Sequence, residues 1–474
     1  MTFSSLAFLF VFFPVVFLLY FVCKKDPVRN ILLIIASLLF YAYGEPVAVF
    51  IMLISICLNY FFGLLCAEVF FAKKENPRLN AVLKKIGLIS AVILNIGLLV
   101  VYKYLDFFLE CVGIDNIRFN IALPIGISFF TFQGLSYVID VYRDKENVQK
   151  NFLSVLLYIS FFPQLIAGPI VKYHDIKEQL VSREFSLDRV GAGLQRFAFG
   201  LGKKVLIAGP MGLMADSVYA LDVAGIGTAS AWIAAISYMF QIYFDFSGYS
   251  DMAIGLGCIF GFDFKENFDK PYAAGSIQIF WRKWHISLST WFKEYVYIPL
   301  GGNRKGILRT YINKFIVFVL TGLWHGANLT FVLWGVMHGA ALIVEDALKK
   351  VIKKRKSEVS GFASGLLNVF GHAYTLLFVM VAFVVFRADN VRYALGMIGR
   401  LFTPKAGDST AFSLLTPSYL IAILLAVIFS TTFSDMIIPK VKTWILRVLS
   451  VVVYIASIVM LISGGYNPFI YFRF

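Results

Sequence analysis

Cysteine is scarce, charge is scarce, and the usual nucleophile and nucleotide signatures are missing. The five cysteines (Cys23, Cys57, Cys66, Cys111 and Cys258) are scattered through mostly apolar segments without a CxxC, so neither a disulfide framework nor a zinc cage is indicated. Charged residues make up only 15% of the 474-residue chain, against about 25% in an average soluble domain. There is no GxSxG elbow. There is no P-loop, because Gly202-Lys203 lacks the required glycine and Ser/Thr, and Gly255-x-Gly257 does not continue as a dinucleotide fingerprint. No HExxH or other metal-ligand spacing occurs, so no metal is assigned. Asn328-Leu-Thr330 has the glycosylation pattern but lies in an apolar segment, which discounts it.

What the chain has instead is apolar length. Hydrophobic residues reach 59% and mean hydropathy is +0.78. A soluble chain of this size cannot hide so much apolar surface in one core, and the composition excludes disorder and a collagen-like fibre. A β-barrel would alternate apolar and polar residues; here the runs are continuous, as in 6–22 and 452–462. What remains is an all-α polytopic membrane protein, read as a single membrane domain over 1–474. About 11 crossings are expected, some segments being re-entrant or interfacial.

The net charge of +15 would raise nucleic acid as a partner for a soluble protein. In a membrane protein it reads as Lys and Arg gathered in cytoplasmic loops beside anionic lipid headgroups. Met1–Ser5 carries no basic residue, and positive charge follows the first apolar run at Lys24, Lys25 and Arg29. That order predicts an uncleaved first helix with its N-terminus outside. Basic loops at Lys73, Lys74, Arg78, Lys84 and Lys85, then at Arg143, Lys145 and Lys150, alternate with loops holding Glu45 and then Asp106, Glu110, Asp115 and a single Arg118. The run Lys349–Lys356 is expected to be cytoplasmic as well.

The five histidines are 174, 285, 325, 338 and 372. His325 lies near the middle of the apolar stretch 311–344, ~51 Å as a straight helix and so too long for a bilayer. The stretch must tilt strongly, protrude or break, with Gly322, Gly326 and Asn328 as its weak points. An ionisable residue at depth is a functional candidate; the alternative is a neutral histidine bonded between helices. On a continuous helix His325 and His338 could not share a metal. His338 and His372 read as structural, and His174 as a loop residue. His285 lies in WRKWHISLSTW, part of an amphipathic segment over 276–297 expected along the cytoplasmic face, with Trp284, Leu288, Trp291 and Tyr295 at helical spacing. Its role is either interfacial or functional. Arg282 and Lys283 suit the phosphates of a bound molecule or anionic lipid. Asp245 and Asp251 fall on different helix faces and read as packing glue or cavity lining, with a proton relay as the alternative.

The stretches FDFSGYSDMAIGLG, FWRKWHISLSTWFKEYVYIPLGGNRKG and LTGLWHGANLTFVLWGVMHG, the core motifs within 243–344, strongly resemble the membrane-bound O-acyltransferase family. More closely they resemble its bacterial alginate O-acetylation branch, as do LPIGISFFTFQGLSYVIDVYR, SFFPQLIAGPI and the C-terminal NPFIYFRF. Peptidoglycan O-acetyltransferases and teichoic acid D-alanyl transferases are similar, and IPLGGNRKG favours the O-acetylation branch. The resemblance implies a ring of helices with a cytosolic opening joined to an outer funnel. It implies a catalytic His325 in the WHG motif and a second functional histidine, His285, with Lys283 where many relatives have Arg. It implies an acetyl thioester donor, acetyl-CoA, no bound cofactor, and relay of the acetyl group to an extracytoplasmic esterase-like partner. The expected activity is O-acetylation of an extracytoplasmic polysaccharide from the bacterial inner membrane. Arg282, Lys283, Trp284 and Asn328 are the expected donor-binding residues; Asn328 would answer negative charge developing on the thioester carbonyl. The rival classes are a transporter or flippase, weakened by the lack of an inverted repeat, and a non-catalytic scaffold of a polysaccharide machine.

Overall fold

The computed structural model describes residues 1–69, 77–114, 116–358 and 362–467. Lys73, Lys74, Asp115 and most of the NPFIYFRF motif lie outside the described residues, as do the side chains of the 349–356 basic run. The described residues are helical without a strand, and they form two compact units.

Seven helices are long and apolar enough to cross a membrane, and the pair Pro417–Ser430 and Phe433–Lys440, bent by 74°, would make eight. Other apolar segments are shorter: Phe8–Val22 joins a π turn to a short helix, and Asp26–Ala42 and Ile127–Arg143 have 17 residues each. They account for much of the gap to the expected eleven.

The first unit comprises Met1–Phe197 and Tyr249–Lys265. Its helices Ala48–Cys66 and Pro77–Leu99 are clasped by a reciprocal amide pair, Asn95 donating to Asn59 at 2.8 Å and Asn59 donating back at 3.3 Å. Between apolar helices such a pair supplies the adhesion that a hydrophobic effect cannot. Arg196 donates twice to Asp251, at 2.8 and 3.1 Å. His174 sits in a one-turn helix, Tyr173–Ile176, where its Nδ1 is 2.8 Å from the buried Asp140 carboxylate.

The second unit comprises Ala198–Gly248 and Glu266–Phe474. Its centre is a hairpin. The overlong apolar stretch breaks at Gly326–Asn328 into Ile307–His325 and Leu329–Glu358. The Asn328 side chain accepts from Thr330 N at 2.9 Å, starting the second helix. The two helices run antiparallel in contact. A Cβ on Gly322 would lie 2.3 Å from the Phe331 carbonyl oxygen, and one on Gly335 would lie 2.4 Å from that of Phe318. Only glycine permits backbones this close. His325 therefore stands at the turn of a hairpin and not midway along one helix.

The 276–297 segment is not one surface helix. It forms two short helices, Ile277–Lys283 and Ile286–Phe292, followed by a π turn over Lys293–Tyr297. Ser276 caps the first through Ile279 N, and the Glu345 carboxylate accepts from Ile277 N and Gln278 N at 2.6 and 3.0 Å. The break falls at His285, which adopts the left-handed conformation at φ 42°. Trp284, Leu288 and Trp291 are buried against protein. The helical spacing that suggested a lipid-facing stripe is an inward-facing one.

Candidate active site

His325 is the last residue of the hairpin's first helix and is 9% exposed. Three aromatic rings surround its imidazole: Trp324 at 5.0 Å, Trp334 at 5.1 Å and Phe386 at 5.0 Å between centroids. The last two meet it edge to face, at 88° and 82°. Trp334 passes the contact on to Trp281 at 5.7 Å and His338 at 4.7 Å. Because the helix breaks, His325 and His338 both come against one tryptophan. Trp281 Nε1 donates to His338 Nδ1 at 3.1 Å. His372 Nδ1 faces the Ala274 carbonyl at 3.2 Å. Both histidines have the bonded, packed surroundings of structural residues.

His285 is fully buried. Its Nδ1 lies 3.2 Å from Asn267 Oδ1, which also accepts from Ser287 N at 3.2 Å and from Ser287 Oγ at 2.8 Å. A backbone bond from Ile286 N to Asn267 O at 2.9 Å straps the same turn. Phe246 meets the imidazole edge-on at 4.6 Å, and Trp324 is 5.8 Å away. Trp324 thus separates the two sequence-derived catalytic histidines. With no charge to offset it, burial pushes the His285 imidazole down to about 3, so it is neutral throughout the physiological range.

Two cavities flank this aromatic cluster. The larger, about 220 Å³, lies between the broken 277–292 segment and the hairpin, with Trp281, Phe318, Thr321 and Leu288 on its walls. Arg282, Lys293 and Lys314 also line it. Lys314 is paired with Asp346, whereas Arg282 and Lys293 are exposed. The smaller, about 160 Å³, lies at the hairpin turn and is lined by Asn328, Thr330, Phe331, Phe386, Arg387 and Asp389 among others. Of the rings around His325, Phe386 lines the second cavity, and Trp334 packs on Trp281, which lines the first.

The expected donor-binding residues divide between these places. Arg282 lines the larger cavity. Lys283 is bonded to Asp269 at 3.0 Å, and Trp284 is buried among Phe280, Phe268, Tyr272 and Phe383. Asn328 is at the hairpin turn, where its amide donates to the Asp389 carbonyl at 2.9 Å while its oxygen caps the helix. Sequence reasoning did not reach Asn267, Trp334 or Phe386. Asn267 is 18 residues before His285 and carries no spacing signal; Lys293 was visible as a cation in the amphipathic segment. Both acids of the 243–257 motif have cationic partners inside their own units, Asp245 with Lys204 and Asp251 with Arg196. The packing reading accounts for both.

The chain matches the model of the MBOAT, membrane-bound O-acyltransferase, family over residues 126–386, and it belongs to that family. It is 36% identical to a probable alginate O-acetylase AlgI of Pseudomonas putida over 506 aligned positions covering the whole of both chains. It is 39% identical to a probable alginate O-acetylase AlgI of Pseudomonas aeruginosa, over 85% of this chain and 75% of the other. It is 37% identical to a peptidoglycan O-acetyltransferase of Helicobacter pylori, over 84% and 80%. The protein is thus a multi-pass membrane O-acyltransferase, an enzyme that uses an acyl donor.

Proposed function

We propose that the protein moves an acetyl group from a cytosolic thioester, acetyl-CoA, to a hydroxyl on the outer side of the bacterial inner membrane, for O-acetylation of a cell-surface polysaccharide through an extracytoplasmic partner. The observation that carries this is the placement of His325 in an aromatic box of which one ring, Phe386, lines the smaller cavity and another, Trp334, packs on Trp281 in the wall of the larger. The hairpin begins beside Arg304, Lys305 and Arg309, which the positive-inside rule puts in the cytoplasm. Its first helix has 19 residues, ~28 Å at 1.5 Å per residue, so the turn and its cavity face the opposite side. The donor enters the larger cavity, with Arg282 and Lys293 at its mouth for phosphate. Lys283 and Trp284 support that wall from behind. The names of the relatives, alginate O-acetylases and a peptidoglycan O-acetyltransferase, support a cell-surface glycan as the substrate.

In this reading His325 is the general base. It accepts the proton of the acceptor hydroxyl as that oxygen attacks the thioester carbonyl. The tetrahedral intermediate then collapses, the C–S bond breaks, and the thiolate leaves with the proton returned by the imidazolium. The products are an O-acetyl ester and a free thiol. Asn328 at the turn and His285 across Trp324 complete the proposed site.

His325→Gln keeps a polar side chain of similar reach but cannot hold the proton as imidazole does. Turnover of radiolabelled acetyl-CoA by the purified protein is expected to fall by about 10²–10⁴-fold, with unchanged thermal stability. Near-normal turnover by the folded variant would exclude His325 as the base. A failure of the unaltered protein to consume acetyl-CoA with any hydroxyl acceptor would favour the flippase or scaffold readings.

A further inference from the structure

The hydrogen bonds around His285 fix where its proton sits. Asn267 Oδ1 faces Ser287 N at 3.2 Å. A backbone N–H can only donate, so the Asn267 atom at that point is the carbonyl oxygen and not the amide nitrogen. The same oxygen faces His285 Nδ1 at 3.2 Å. An amide oxygen cannot donate, and the Ser287 hydroxyl, 3.4 Å from Nδ1, gives its one hydrogen to Asn267 Oδ1 at 2.8 Å, so Nδ1 carries the hydrogen. In a neutral imidazole the other nitrogen, Nε2, is then a bare acceptor. Nε2 is buried and, among the described residues, has no hydrogen-bond partner. A buried acceptor left open in this way is unusual for a packed histidine and suits one awaiting a donor from a bound molecule.

The surroundings agree. The imidazole is held between Phe246 and Trp324, and Trp324 adjoins His325. Its left-handed backbone is costly for any residue but glycine. The Asn267 strap holds it through the side-chain oxygen and through the backbone bond from Ile286. Titratable groups on the elements around it include Glu266 next to Asn267 in the chain, His325 beyond Trp324, Tyr243 packed on Phe268 at 5.9 Å, and the Lys283–Asp269 pair. Among the described residues none of these is hydrogen-bonded to the imidazole.

We infer that Asn267 is a positioning residue which locks His285 as the Nδ1–H tautomer, so that His285 acts in acetyl transfer as a hydrogen-bond acceptor through Nε2 and not as an acid. The group it receives is a substrate N–H or O–H, either an amide of the donor's arm or the acceptor hydroxyl. This rests on the acetyltransferase reading above, but its first test does not require turnover.

The full chain in lipid nanodiscs, labelled with [15N]histidine, has five histidines to resolve. The signals lost in His285→Gln belong to residue 285. They are expected to show a protonated Nδ1 and a bare Nε2, unchanged between about pH 5 and 8, the range in which an ordinary histidine titrates. An Nε2–H tautomer or an imidazolium in that range overturns the assignment, whatever the fate of the His325 variant. Asn267→Asp supplies the second test. A carboxylate facing Nδ1 favours the imidazolium, which removes the bare Nε2 at low pH. The kcat–pH profile is expected to gain an acid limb, with more than about tenfold loss below it and recovery above. A raised donor KM on that limb assigns the amide of the donor; a lowered kcat at saturating donor assigns the acceptor hydroxyl. An equal loss at all pH values would mean a purely structural role and would overturn the inference. If Asn267→Asp does not accumulate, Asn267→Ser is used. Its hydroxyl can donate as well as accept and so releases the tautomer; turnover equal to that of the unaltered protein would overturn the proposal.

Discussion

Trp281 donates its indole N–H to Nδ1 of His338 at 3.1 Å, and an indole nitrogen has no other option. His338 is therefore held with its proton on Nε2, the opposite tautomer from His285. The bond also aims Trp281, which forms a wall of the larger cavity and touches Trp334 beside His325. The histidine that sequence reading set aside as structural thus shapes the site through its partner.

Replacing His338 by Leu leaves the Trp281 N–H unpaired in the interior. The expected cost is about 1–3 kcal/mol of stability, read as a lower thermal midpoint, together with a raised KM for the donor. His338→Asn, which keeps an acceptor oxygen, is expected to recover part of both. A donor KM unchanged in both variants would detach Trp281 from donor binding.

At the cavity mouth, Arg282→Glu or Lys293→Glu is expected to raise the donor KM by about tenfold at low salt and by less at high salt, as partly exposed charges are screened. Lys283→Gln is expected to do far less. Its partner Asp269 is exposed, and such a pair contributes only about 0–1 kcal/mol. Kinetics at two ionic strengths separate these cases; a donor KM unchanged at all three positions would show that the cations serve lipid and not the donor.

Lys204 and Asp245 form an ion pair with side chains only 1% and 5% exposed. Lys204→Met leaves a buried carboxylate without its cation, at a cost of about 3–5 kcal/mol. The double variant Lys204→Met with Asp245→Leu is expected to recover most of that loss in thermal unfolding. If the double variant is no better than the single, the two residues are not stabilising each other.

The His174 imidazole is raised above its ordinary value, chiefly by its hydrogen bond to Asp140. A raised value in the folded state means the stabilising contribution is fully present below the unfolded-state value of about 6.5 and disappears as pH rises through the folded one. Thermal midpoints measured from pH 6 upward, a range set by these values, are expected to decline across that window. Asp140→Asn is expected to flatten the decline. The effect is modest, since the ring is 37% exposed.

The membrane class was legible because continuous apolar runs have few alternatives, and the hairpin break was legible at Gly326 and Asn328, a flexible residue and a helix-capping one. The number of crossings was less so. Segments such as Ile127–Arg143 and Phe8–Val22 are apolar enough but too short or interrupted, and hydropathy does not show where a helix stops. His325 and His285 stood out as rare ionisable residues in apolar surroundings. Asn267 did not, because its role arises from a bond across 18 positions and a left-handed turn that no local pattern announces. Lys204 and Arg196, cations in the apolar helix 187–219, offered a signal that Asp245 and Asp251 had partners.

The glycines of the hairpin carry one further consequence. Where Gly322 meets Phe331 and Gly335 meets Phe318, backbone rests on backbone, with no side chain between them to change rotamer. The two helices form a rigid strut, and the height of His325 above the base of that strut is set by the main chain. With His325 as the proposed base, acyl-chain length is then read by reach and by ring volume. A longer chain would need room taken from Trp281, Trp334 or Phe386, and redesign of donor preference would have to begin with those three side chains and leave the strut alone.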